Sequence, residues 1–291
     1  MKNIIFTKKS LLWVFLITAF VSLLYPYFAA ISLSLPASDD FSSGWMARAE
    51  EYDCLFTRAI ILANTFSKSW GGDWINHFLQ TLLNPLLVFS SPLDYYGEEM
   101  MVFFAVFCAV VVYLLHCVFK HFFGIQSSLI RGFLSVAVLA AFLLAGIHVE
   151  VFNWYIGATY SWHLCFAMFC ISAAIKNTFA QKSVKNSALM VLFGVLACQS
   201  VCYDMMIGAT LLTLIITDFK NGNMKCAKSG AVILAILITV GCFAAFSSGN
   251  FARFGGTVSE IDIIWSVKHS ILVCIFEAVL VLKNGSVIFA L

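Results

Sequence analysis

From Leu11 to Leu33 the chain runs 23 residues without a charged side chain. A helix rises about 1.5 Å per residue, so roughly 20 apolar residues cross a hydrocarbon core of about 30 Å. Further apolar runs recur to the end of the chain. Apolar residues make up 62% of the sequence and charged residues 11%. Soluble domains carry about 25% charged residues, and a chain this poor in them cannot cover itself with polar surface. The reading is an all-α integral membrane protein, a single multi-pass domain over 1–291 with about eight transmembrane helices. The net charge of +2 gives no electrostatic footprint for nucleic acid.

The first run follows Lys2, Lys8 and Lys9. It exceeds the apolar core of a cleaved signal peptide, about 7–15 residues, so it reads as an uncleaved first span with a cytoplasmic N-terminus. Residues 34–98 form the long polar segment. Asp39, Asp40, Glu50, Glu51, Asp53, Asp73, Asp94, Glu98 and bordering Glu99 are opposed there only by Arg48, Arg58 and Lys68. A segment so poor in basic residues belongs outside. Trp45, Ala49, Tyr52, Phe56, Ala59 or Ile60 and Ala63 recur at helical spacing, as do Trp74, Phe78, Leu82 and Leu86. Two amphipathic helices lying on the outer membrane surface are expected, with Trp70–Asp73 as the turn between them.

Spans are then expected at 100–119, 132–147, 160–175, 229–246 and 263–282. The run 188–217 is too long for one crossing and too short for two full ones. Lysines bound it on both sides, so it must cross an even number of times. Two short helices meeting near Gln199–Asp204 satisfy that count. In this topology twelve of the 17 basic residues lie inside. The chain stops in a new apolar run, Val287–Leu291, as expected of a truncated sequence.

The ten cysteines sit mostly in apolar runs, where Cys acts as a small hydrophobe. Only Cys54 lies clearly in the polar segment, so no disulfide framework is expected. Neither CxxC nor HExxH is present, and His148 and His163 read as structural, so no metal site is assigned to these residues.

Four polar clusters fall on the outer side: Asp39–Asp40; Glu150 with Asn153, Trp154 and, at the next span, Tyr160; Tyr203–Asp204; and Asn250 with Arg253. Together they are expected to line one cavity at the membrane boundary. A carboxylate of the Asp39–Asp40 pair suits general-base work on a hydroxyl, or could help hold a divalent cation, although two acids are too few for a whole site. The same residues also suit the start of the following helix. Glu150 and Asp204 are ionisable groups at helix ends, where a buried one is a functional candidate. Arg253 offers the planar donor fork that suits a phosphate, or it snorkels beside lipid headgroups.

SDDFSSGW (Ser38–Trp45), SWGGDW (Ser69–Trp74) with NPL (Asn84–Leu86), EVFNWYIGATYSW (Glu150–Trp162) and GNFARF around Asn250 and Arg253 complete the pattern. An acidic pair after the first span, amphipathic helices in a long first outer loop and many further spans resemble bacterial GT-C-type membrane glycosyltransferases. The nearest likeness is to multi-pass proteins related to those that decorate surface polysaccharides. The resemblance implies a sugar donor on a polyprenyl phosphate, a glycan or lipid acceptor, and the bacterial inner membrane. It implies Asp39 or Asp40 as the catalytic carboxylate. Glu150, Asn153, Trp154, Tyr160, Asp204, Asn250 and Arg253 are the expected substrate-binding groups. A polysaccharide polymerase, a transporter or flippase of lipid-linked sugars, and a non-catalytic membrane scaffold are the competing readings. A transporter would want midplane charges, of which Glu277 is the one clear acid.

Overall fold

The computed structural model describes residues 8–49, 54–88, 92–144, 149–180, 182–198, 201–249 and 272. Among these there is no strand. The helices are α1 (Lys8–Ile31), α2 (Ser38–Ala49), α3 (Leu55–Ser69), α4 (Trp74–Leu82), α5 (Pro85–Val88), α6 (Pro92–His121), α7 (Ser128–Leu144), α8 (Tyr155–Phe179), α9 (Val184–Ala197), α10 (Val201–Lys220) and α11 (Met224–Ala245). A 3₁₀ turn, Val149–Asn153, leads into α8.

Four helices are long and apolar enough to cross a membrane, over Ser10–Ile31, Leu93–His121, Tyr155–Phe179 and Met224–Ala245. α7 and α9 are apolar but shorter. The expected span at 263–282 lies outside the described residues, as do Lys268, His269 and Glu277.

Helix α8 is the axis of the molecule. Small residues such as Ala158, Ser161, Ala167, Ser172, Ala173 and Ala174 let neighbouring helices approach its backbone, the usual device where lipid removes the hydrophobic drive between helices. Its first half packs with α1, α6 and α7 around Phe104, Leu139, Phe152 and Tyr155. Its second half packs with α9, α10 and α11 around Ile175, Met190, Ile207 and Leu237.

The polar segment folds into α2–α5. Cys54 is extended (φ −96°, ψ 120°), which makes α3 a separate helix from α2, where the sequence period reads as one. The Trp70–Asp73 turn forms as its two glycines suggest, and α3 and α4 pair through it. Trp74 stacks on Phe78 with centroids 5.3 Å apart, and Phe56 meets Phe78 edge-on at 5.4 Å. A Cβ at Gly72 would fall 1.8 Å from the Ala244 carbonyl oxygen, so glycine here lets the turn seat against the end of α11. Helix α4 turns a polar side inward, burying Asn76, Gln80 and Thr81. Gln80 donates to Thr159 Oγ1 of α8 at 2.8 Å.

The run 188–217 is divided as its length demands: α9 ends at Ala197 and α10 begins at Val201. Ser183 caps α9 by accepting from the Asn186 amide at 3.0 Å. Gln199 and Ser200 lie outside the described residues.

Candidate functional site

The acidic pair is split by the helix it starts. Successive residues on a helix point about 100° apart, so only one of two neighbours can face inward. Asp39 is exposed and its carboxylate has no protein partner among the described residues, whereas Asp40 is completely buried.

Asp40 serves two helix starts at once. Its Oδ2 accepts from the Ala37 amide at 2.8 Å, reaching back to cap its own helix. The same carboxylate closes the start of α8, with Ile156 N–H donating to Oδ1 at 2.8 Å and Tyr155 N–H to Oδ2 at 3.3 Å. Trp154, the residue preceding α8, makes no side-chain cap of its own. Helix N-termini expose unsatisfied N–H groups and carry partial positive charge, so an anion there is favoured. Tyr96 of α6 completes the hub. Its hydroxyl donates to Asp40 Oδ2 at 2.5 Å and accepts from the Tyr155 amide at 2.6 Å. The Tyr155 hydroxyl in turn donates towards the carbonyls of Leu79 and Gln80, at 3.2 and 3.1 Å, at the end of α4. One buried carboxylate and two phenols thus join α2, α4, α6 and α8.

Asp40 has no lone pair facing outward to meet an acceptor hydroxyl. Its geometry is that of a positioning residue, and the chemically free member of the pair is Asp39. Arg48 pins the other end of α2, donating to the Leu86 carbonyl at 2.7 Å. Between these two pins Phe41, Trp45 and Arg48 share one face (i, i+4, i+7). With Leu86 and Leu93 they line an open groove of about 450 Å³. Trp45 is 72% exposed, an aromatic face open to a ligand or to lipid.

The other expected site residues reach the same end of α8 in part. Asn153 is exposed, and Trp154 is half-buried. The Trp154 indole folds back on the first turn of α8, where a Cβ on Gly157 would come within 2.5 Å of Nε1. Tyr160 is exposed and its carbonyl accepts from the Tyr203 hydroxyl at 3.3 Å. Both tyrosines border an aromatic hollow of about 210 Å³ with Phe104, Phe107 and Phe152. Asp204 is half-buried in the first turn of α10, beside Gly241, and borders a different hollow of about 260 Å³ between α10 and α11. Tyr160 and Tyr203 thus border one hollow and Asp204 another. Glu150 lies in the 3₁₀ turn, with its side chain outside the description; Asn250 and Arg253 lie outside the described residues. Compared with protein-family models, curated proteins and solved structures, the chain matches none.

Residues that the pattern did not assign to the site complete the picture, among them His163, read from the sequence as structural. Tyr96 and Tyr155 hold the hub. Glu99, one turn beyond Tyr96, has a buried Oε2 with no protein partner among the described residues. His163 is 1% exposed and sets its Nε2 3.3 Å from Asp73 Oδ1. Its ring lies parallel to Tyr203, centroids 6.2 Å apart. His77, near the same Asp73, is shifted below its ordinary value because burial disfavours the charged ring more than Asp73 supports it. The one readable signal for the hub is the stripe Tyr96, Met100, Phe104, Phe107, whose first member is the only hydroxyl.

Proposed function

We propose that the chain is an integral membrane glycosyltransferase that moves a sugar from a polyprenyl-phosphate donor to a glycan or lipid acceptor at the outer face. The reading includes the eight-span topology with a cytoplasmic N-terminus, and α2–α5 as the layer lying along that face. The observation that carries it is an exposed carboxylate, Asp39, on a helix fixed at both ends, by Asp40 to α8 and by Arg48 to Leu86. A reacting group held by buried neighbours keeps its place without reorganising during the reaction. The groove lined by Phe41, Trp45 and Arg48 lies on another side of α2, where its aromatic faces suit a sugar ring.

In this reading Asp39 takes the proton of the acceptor hydroxyl as its oxygen bonds to the anomeric carbon. The bond from that carbon to the donor phosphate breaks, and the phosphate leaves with the electron pair. Direct displacement inverts the anomeric centre. Arg253 is the cation proposed to steady the departing phosphate.

The test incubates membranes containing the protein with radiolabelled polyprenyl-phosphate sugars and follows label into lipid or polymer. Asp39→Asn should reduce transfer by about 100-fold or more, the span of a general base, with the protein still inserted and equally heat-stable. Full transfer by Asp39→Asn would remove the assignment. A non-catalytic scaffold would give no transfer from any donor.

A further inference from the structure

Native interiors leave few polar atoms without partners, and each asks for an explanation. In this molecule several gather under the Trp70–Asp73 turn. Asp73 Oδ1, Asn76 Oδ1 and His163 Nε2 are all buried and form no hydrogen bond with the described residues. Asp73 Oδ1 and His163 Nε2 meet, and Asn76 stands about one turn along α4 from Asp73. The inward side of α4 runs against the first turns of α8, with Gln80 bonded to Thr159 and Asp73 beside His163. Asn76 lies between Asp73 and Gln80 on that side, and is 2% exposed.

We propose that Asp73 and His163 are ligands of a divalent cation of the Mn²⁺ or Zn²⁺ kind, with the Asn76 carbonyl oxygen and water at further positions. The two ligand atoms stand 3.3 Å apart, yet their geometry is not that of a hydrogen bond. Two atoms each about 2.1 Å from one ion are separated by about 3.0–3.4 Å along an octahedral or tetrahedral edge. The donor set mixes imidazole nitrogen with carboxylate and carbonyl oxygen, which suits these ions better than Ca²⁺. No third His, Cys, Asp or Glu among the described residues joins them, so water would have to complete the coordination. The Asp73 side chain is 23% exposed, which gives an ion a way in. This proposal stands apart from the sugar-transfer reading and its test needs no substrate.

The full chain, purified in detergent and stripped with chelator, is titrated with Mn²⁺ and followed by electron paramagnetic resonance. A single tight site should appear, its spin-echo modulation showing a directly bound imidazole nitrogen. His163→Gln should abolish that nitrogen coupling, His77→Gln should keep it, and Asp73→Asn should weaken binding by about tenfold or more. Zn²⁺ should displace the Mn²⁺. Absence of bound Mn²⁺ at millimolar concentration, binding without nitrogen coupling, or coupling that survives His163→Gln would each overturn the site. Should His163→Gln fail to fold, the remaining variants decide: coupling kept in His77→Gln with binding weakened in Asp73→Asn supports the site, and unchanged binding in Asp73→Asn overturns it.

Discussion

Asp39 and Asp40 are chemically the same residue and are neighbours, yet their substitutions should behave oppositely. Asp40→Asn keeps the shape of the side chain but turns an amide towards backbone N–H groups that need an acceptor. With several donors left buried, the cost should be about 2–4 kcal/mol, read as a lower unfolding midpoint in detergent. Tyr96→Phe removes one donor and one acceptor from the same hub and should cost about 1–2 kcal/mol. His77 adds a pH dependence. Its folded form holds a proton less readily than the ordinary value of 6.5. As pH falls below that value the unfolded chain takes up the proton first, so stability declines, and it levels off below the folded value. Melting midpoints between neutral and mildly acidic pH should show this slope, and His77→Phe, which can keep the stack on Phe66, should reduce it.

At the scale of elements, the Trp70–Asp73 turn is the sharpest constraint. Gly72→Ala drives a methyl into the Ala244 carbonyl, and because the obstacle is backbone the chain must shift. A loss of about 2–3 kcal/mol is expected, measured by the same unfolding assay, with the α3–α4 pair and the end of α11 loosening together. This turn was legible in the sequence because two glycines and an aspartate interrupt an apolar period. So was the division of 188–217, because length against membrane thickness is simple arithmetic. The boundary between α2 and α3 was not legible, since Trp45, Tyr52 and Phe56 keep a helical period across an extended Cys54. Which acid of the pair is buried could not be read either. It depends on where α8 begins, more than a hundred residues away. Asp73 and His163 are hidden for the same reason, being 90 positions apart.

For the molecule as a whole, the topology makes Cys54 the informative thiol. It is exposed at the start of α3, where backbone N–H groups of Thr57 and Phe56 lower its pKa and favour the thiolate. Cys108, Cys117, Cys165, Cys170 and Cys198 are buried. A membrane-impermeant maleimide added outside sealed cells should label Cys54 faster than any of these, and the fast phase should vanish in Cys54→Ser and persist in Cys242→Ser, the other exposed thiol among the described residues. Labelling only after the cells are opened would place the α2–α5 layer on the other side and reverse the proposed orientation.

The double cap at Asp40 also has a consequence in time. Its partners in α8 lie 115 and 116 residues downstream. At a ribosomal pace of about 5–20 residues per second, the nascent polypeptide must wait roughly 6–23 s for them to be made. Through that interval the Asp40 side chain has only the Ala37 amide and the Tyr96 hydroxyl, and α2 is tied by Arg48 to Leu86 but not yet to α8. Completion of the protein's centre, and not the emergence of its first loop, is therefore the moment at which the α2–α5 layer acquires a fixed shape.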